Sequence, residues 1–128
     1  MALIPENLRY SKNHMWVRLK DGEAVIGVTD YAQAQMDGIT YMRIPSAGSH
    51  LAAGEVCGMV ESSKPTKDLI CPVKGEVVEA NVALDSTPEL CNKDPYGKGW
   101  VLRIKVAEAP KDLMDAAAYD AFCKTASK

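Results

Sequence analysis

The amino-acid sequence predicts a mainly β protein closed by a C-terminal amphipathic helix. Three observations predict it: an Asp21-Gly22 dipeptide between two strand-like runs, alternation from Trp100 to Val106, and an apolar stripe at helical spacing after Pro110. Asp-Gly supplies the positive φ angles of a two-residue hairpin. Met15–Lys20 and Glu23–Thr29 are therefore predicted as its two strands. In the alternating segment Trp100, Leu102, Ile104 and Val106 share one face opposite Arg103 and Lys105, the pattern of a half-buried strand. Leu113, Met114, Ala117, Ala118, Ala121 and Phe122 form the helical stripe.

The intervening chain reads as short strands separated by turns. Asp30 is a candidate N-cap for a short helix over Tyr31–Met36, stopped near Gly38. Ile39–Ile44 reads as a strand ended by Pro45. Asp85–Leu90 reads as a short helical turn, and Asp94-Pro95-Tyr96-Gly97 as a turn with proline in a favoured position. Gly54-Glu55-Val56 and Gly75-Glu76-Val77 each open a β-rich run, with Lys64 close to the midpoint. Such a repeat suits a small barrel with approximate two-fold symmetry. Residues 1–9, interrupted by Pro5, Glu6 and Asn7, are read as a flexible N-terminal arm. Residues 10–128 are read as one domain that includes a C-terminal helix over 111–124.

Composition narrows the function. The 128 residues are 47% hydrophobic and 25% charged, with a formal net charge of -2, which fits a soluble domain large enough for one core. Basic residues are spread along the chain, so the clustered positive surface that nucleic acid requires is absent. No run approaches the ~18 apolar residues that span a bilayer, and the start of the chain lacks a signal-peptide pattern; the expectation is a cytoplasmic protein with no membrane partner. Cys57, Cys71, Cys91 and Cys123 show no C-x-x-C spacing, and His14 and His50 lie at no zinc-finger spacing from them. Four reduced thiols and no metal site are expected.

The sequence carries no nucleophile elbow, phosphate loop or H-E-x-x-H motif, so no catalytic residue is assigned. Its best chemistry is a lysine. In Val60-Glu61-Ser62-Ser63-Lys64-Pro65-Thr66-Lys67-Asp68-Leu69, a hydrophobic run rises to a polar tip and another descends. Pro65 restricts Lys64 to extended or turn geometry, which holds an amine outward for acylation. An isolated lysine in this setting is ordinarily just a solvated turn residue.

The wider pattern changes that reading. Glu61–Asp68 resembles the lipoylation hairpin of glycine cleavage H proteins, approximately E-S-V-K-A-x-S-D. Tyr10-Ser11-Lys12-Asn13-His14-Met15-Trp16-Val17 resembles the family's Y-[ST]-x-x-H-E-W-[VI], and Gly27-Val28-Thr29-Asp30-Tyr31-Ala32-Gln33 its G-[IV]-T-[DE]-[HY]-A-Q. Cys71–Asn81 resembles A-P-V-S-G-E-V-V-E-V-N. Pro88-Glu89-Leu90 and Asp94–Trp100 resemble P-E-L and x-P-Y-G-x-G-W. The blocks run in order across residues 10–123.

The resemblance implies a lipoyl-domain-like barrel-sandwich hybrid with short helices. It also implies lipoate attached to Lys64 as N6-lipoyllysine, and a carrier acted on by partner enzymes rather than an enzyme. Glu61, Ser62, Ser63, Pro65 and Asp68 then serve recognition around the tip, although Glu61 and Asp68 read equally well as solvated hairpin charges. A lipoate ligase or lipoyl transferase is an implied partner. A tether suits this role because it raises the effective concentration of the carried group at each partner.

Departures from the family pattern bear on the pathway. Met15 stands where glutamate is usual, and Arg43 where an acidic residue is usual. Ser63, Pro65 and Lys67 replace valine, alanine and serine. Cys57 and Cys71 lie seven residues either side of Lys64 and would face one another across paired arms, either as a reactive thiol pair or as two small core residues. These features lean the reading toward a related branch, the lipoate-binding proteins of sulfur oxidation. Those carry a sulfur intermediate for a heterodisulfide-reductase-like complex. The alternative is the glycine cleavage H protein itself, with glycine decarboxylase, aminomethyltransferase and dihydrolipoamide dehydrogenase as partners. A cysteine-based thiol-redox protein is a remote alternative, and a binding module without cofactor a further one. Biotin carriers, which place methionine on both sides of the lysine, fit poorly. Trp16 and Trp100 read as core aromatics, His14 and His50 as structural or surface residues, and Met36, Met42 and Met59 as fillers.

Overall fold

The computed structural model describes residues 4–36, 38–62, 66–107, 110 and 113–126. A six-stranded antiparallel sheet contains β1 (Arg9–Tyr10), β2 (Met15–Lys20), β3 (Glu23–Val28), β5 (His50–Leu51), β8 (Gly75–Ala80) and β9 (Leu102–Val106), in the order β1-β2-β3-β9-β8-β5. A three-stranded antiparallel sheet contains β4 (Ile39–Arg43), β6 (Val56–Ser62) and β7 (Lys67–Ile70), in the order β4-β6-β7. The helices are α1 (Asp30–Met36), α2 (Ala83–Ser86), α3 (Leu90–Lys93) and α4 (Ala116–Ala126).

Both sheets contribute to one core. Ile26, Val28, Val77, Leu102 and Ile104 from the larger sheet share a buried cluster with Met42, Cys57, Val60 and Leu69 from the smaller one. The architecture is thus mainly β, as the residue pattern predicts, but the sheets do not close into a barrel. The Asp21-Gly22 turn forms as expected, with φ of 52° and 79°, and joins β2 to β3 in register from Lys20↔Glu23 to Met15↔Val28.

The Gly-Glu-Val repeat does not produce equivalent units. Gly54 sits in an exposed turn at φ +89°, and Val56 after it is 51% exposed. Gly75 is buried inside β8, where a Cβ would run into the Lys105 carbonyl, and Val77 is fully buried. One glycine answers a turn and the other a close strand approach.

Several boundaries differ from the sequence reading: β9 begins at Leu102 rather than Trp100, and the turn read over Asp85–Leu90 spans the end of α2 and the start of α3. The segment taken as an arm is docked from residue 4 onward: Ile4 packs on a buried cluster, Leu8 is buried, the Tyr10 hydroxyl donates to the Pro5 carbonyl, and Arg9 already pairs with Val17. The helix cap is Thr29 rather than Asp30. Its Oγ1 accepts from the Ala32 N–H at 3.2 Å and its carbonyl from the Gln33 N–H at 3.0 Å, while Asp30 accepts from the Gln33 side chain at 2.6 Å. The C-terminal helix begins only at Ala116, because Met114 exchanges backbone hydrogen bonds of 2.7 and 2.8 Å with Tyr10. Residues 111 and 112 lie outside the described residues.

That later start rotates the buried face. Ala116, Tyr119 and Cys123 point inward, whereas Ala117, Ala118 and Ala121 of the predicted stripe are exposed. Leu113 and Met114 had set the phase of the pattern while belonging to an extended segment. The inward face packs with Leu8, Tyr10 and Trp16 in a second cluster. Trp16 is a fully buried core aromatic, as expected; its Nε1 donates to the Pro95 carbonyl at 2.8 Å. Among the described residues no helix is long and apolar enough to cross a membrane.

Candidate functional site

The lysine hairpin is built from the smaller sheet. Strand β6 lies between β4 and β7, so its rising arm is supported on both edges. Val60 and Leu69 turn into the core and fix which face of the hairpin is inside. Strand β4 follows β6 to its end, with rungs Tyr41↔Glu61 and Ile39↔Ser62, and the Thr40 hydroxyl donates to the Glu61 carbonyl at 3.3 Å. On the other edge the last rung is Val60↔Lys67. Ser63, Lys64 and Pro65, the tip of the sequence motif, lie outside the described residues.

The outward face of this sheet is chemically mixed. Arg43, Met59 and Asp68 lie in one row across β4, β6 and β7, and Tyr41 lies beside Glu61 in the next. Tyr41 is 47% exposed, and Arg43, Glu61 and Asp68 are exposed; Ser62 is half-buried. Of the residues predicted to serve recognition, the structure therefore brings Glu61 and Asp68 onto one open face. It adds Tyr41 and Met59, which sequence reasoning did not assign there. Beside the row runs an open groove of about 520 Å³, lined among others by Arg43, Ile44, Leu51, Val56, Cys57 and Met59.

Cys57 and Cys71 are both buried, at 3% and 0% exposure, and neither is in a disulfide. They do not face one another on a single rung as the symmetric spacing predicts. The ladder shifts between Val56↔Ile70 and Gly58↔Leu69, leaving Cys57 in a bulge, while Cys71 bonds through its backbone to Gly54 and Glu55. Both side chains enter the same core cluster, where the Cys71 thiol donates to the Val73 carbonyl at 3.0 Å; the neighbouring Cys71 and then burial push the Cys57 thiol up, while Cys57 draws Cys71 down.

A second feature approaches the hairpin from the larger sheet. His14, at φ 64°, accepts or donates at Nδ1 to the Tyr119 hydroxyl at 2.7 Å, and that hydroxyl also meets Thr29 Oγ1 at 2.7 Å. Its ring lies 4.8 Å from Tyr31 and 5.7 Å from Phe122. Burial, and then the charge of Lys67, hold the His14 pKa below its usual value. His14 is thus a structural residue, as expected, and it lies within electrostatic reach of the foot of the hairpin. Nothing local in the sequence signals this, because its partners come from β3's end, α1 and α4. Among the described residues no cluster of three metal-ligating side chains occurs.

The glycine cleavage H-protein family model matches residues 8–126. This chain belongs to that family. The glycine cleavage system H protein of Symbiobacterium thermophilum is 44% identical over 126 residues, covering 97% of this chain and 98% of that protein. The H protein of Bacteroides fragilis is 49% identical over 119 residues, covering 91% and 94%. The crystal structure of the Mycobacterium marinum H protein superposes with a TM-score of 0.88 at 33% identity, covering 92% of this chain and 97% of the other.

H proteins are lipoyl-bearing carriers rather than catalysts, with lipoate joined covalently to a lysine, and this chain is one of them. The lean toward a sulfur-oxidation carrier gains no support from these relatives, which are named for glycine cleavage. The departures behind that lean have a local explanation. Arg43 on β4 is exposed and Lys67 on β7 half-buried, both outside the core, and Cys57 and Cys71 are core residues.

Proposed function

We propose that this chain is the H protein of a glycine cleavage system and that Lys64 is its lipoyl attachment site. The observation that carries the reading is the family match across residues 8–126, joined to a β6–β7 hairpin whose tip coincides with the Glu61–Asp68 motif. Bound at Lys64, lipoate would supply a ring disulfide capable of thiol–disulfide exchange.

The chain's own residues do the rest. Val60 and Leu69 anchor the hairpin strands, and β4 braces the rising one, which gives the carrier a fixed platform leading to the attachment segment. Glu61 and Asp68, on the outward face, present negative charge to a lipoate ligase or lipoyl transferase. Ser62, Ser63 and Pro65 complete the recognition segment around the lysine. Tyr41 and Met59 supply apolar contact beside those charges for glycine decarboxylase, aminomethyltransferase and dihydrolipoamide dehydrogenase, which must each approach the same tip. The reading carries a cytoplasmic location with it.

The test is the intact mass of protein purified from cells supplied with lipoate, followed by peptide mapping and reconstitution with glycine decarboxylase. One lipoyl group on the Lys64 peptide, none in Lys64→Arg, and glycine-dependent loading of the holoprotein are expected. An unmodified Lys64 removes the attachment site. Modified protein that glycine decarboxylase does not load removes the pathway and leaves the carrier.

A further inference from the structure

We propose that Cys57 and Cys71 form a redox-active dithiol, closed to an intramolecular disulfide by a small zwitterionic organic disulfide that enters the groove beside the hairpin. Three features of the structure support it. The two side chains share one buried cluster, where the bulge sets Cys57 beside the chain leaving β7, and the Cys71 thiol donates to the Val73 carbonyl at 3.0 Å. Cys57 occupies a bulge, where the β6–β7 ladder is already interrupted, so exposing its sulfur breaks few backbone bonds. Cys57 also lines the groove of about 520 Å³.

The groove sets the class of oxidant. Ile44, Leu51, Val56 and Met59 give it apolar walls that suit carbon–sulfur chains. Arg43 and Asp68 place one cation and one anion on the same lining, complementary to the carboxylate and ammonium of an amino-acid-type disulfide. The remaining thiols lack this setting. Cys91 is packed on Met42 Sδ at 3.3 Å, and Cys123 lies on the inward face of α4; neither lines the groove.

The chemistry balances as an exchange. Cys71, whose pKa lies below its usual value beside Cys57, loses a proton to solvent, and its thiolate takes the Cys57 proton as Cys57 reacts. The Cys57 sulfur attacks the incoming R–S–S–R, forms a mixed disulfide and expels R–S⁻. The Cys71 thiol then gives up its proton and its sulfur attacks Cys57, expelling the second R–S⁻. Two protein thiols are oxidised and one organic disulfide is reduced to two thiols. The product fastens β6 to the chain leaving β7.

The test uses the full-length lipoylated protein, reduced, freed of reductant and equilibrated with glutathione disulfide under native conditions, then alkylated and mapped. The expected result is loss of two of the four alkylatable cysteines, with one peptide pair joining Cys57 to Cys71 and no retained glutathione. Cys71→Ser should instead trap glutathione on Cys57. The same map in Lys64→Arg keeps the proposal separate from lipoylation. Four fully alkylatable cysteines, a link through Cys91 or Cys123, or oxidation only in denaturant would each overturn it. The wild-type map decides the matter even if Cys71→Ser does not fold.

Discussion

His14 and Tyr119, separated by 105 residues, meet at 2.7 Å between Nδ1 and the phenolic hydroxyl. The contact joins the N-terminal motif to the C-terminal helix, and Thr29 Oγ1, 2.7 Å from the same hydroxyl, ties both to the start of α1. Burial and Lys67 disfavour the charged form of His14. Its folded pKa lies below 6.5, so between that pKa and 6.5 the unfolded chain binds more protons than the folded one. Stability is therefore complete above 6.5 and falls as pH drops through that window. Melting temperature measured from about pH 7.5 to about 5.5 should decline in the wild type. It should decline less in His14→Asn, which keeps a side chain tolerant of positive φ. Equal slopes in the two proteins would exclude His14 as the source.

Gly27 opposes Trp16 directly across β2 and β3. A Cβ placed on it would stand 2.6 Å from the indole, whose Nε1 is already committed to the Pro95 carbonyl. The ring has no free direction in which to yield. Gly27→Ala should cost about 1–3 kcal/mol in chemical denaturation with an unchanged slope. A neutral result would mean that the indole is less fixed than this hydrogen bond implies.

Asp115 caps α4, its Oδ1 accepting from the Ala118 N–H at 2.8 Å. Asp115→Ala should cost about 0.5–2 kcal/mol. Since Cys123 lies two turns along the same helix, native alkylation of Cys123 should accelerate while that of Cys91 stays slow. Parallel acceleration at both would indicate global rather than local loosening.

Arg43 lies on the open face in the same row as Asp68. In the family pattern its position is usually acidic, so Arg43→Glu should leave the melting temperature nearly unchanged. It should alter loading by glycine decarboxylase several-fold, through KM and its salt dependence rather than kcat. A variant indistinguishable at low salt would place Arg43 outside the docking surface.

Much of this molecule is legible locally. The Asp21-Gly22 hairpin needs only two residues able to hold positive φ, and the alternating face from Leu102 to Val106 needs only the period of a strand. The tip motif is likewise continuous in sequence. Features set by partners far along the chain are not legible in this way. Thr29 outcompetes Asp30 as a cap because its hydroxyl is already fixed by Tyr119. The phase of α4 failed because Leu113 and Met114 are apolar for a different reason: Met114 pairs with Tyr10 instead of continuing a helical stripe. The Cys57–Cys71 rung failed because a bulge shifts the ladder by one residue.

The sequence by itself determined that the chain is β-rich and that it carries the H-protein motifs, the lysine motif among them. Each of these is written in contiguous residues or a short period. Only the tertiary structure decided that β4 braces the rising arm, that Arg43, Met59 and Asp68 share one row, and that His14 is locked by Tyr119. Those relations depend on strand register and helix phase, which are set when two sheets and α4 bury their apolar faces together rather than by any residue's own preference.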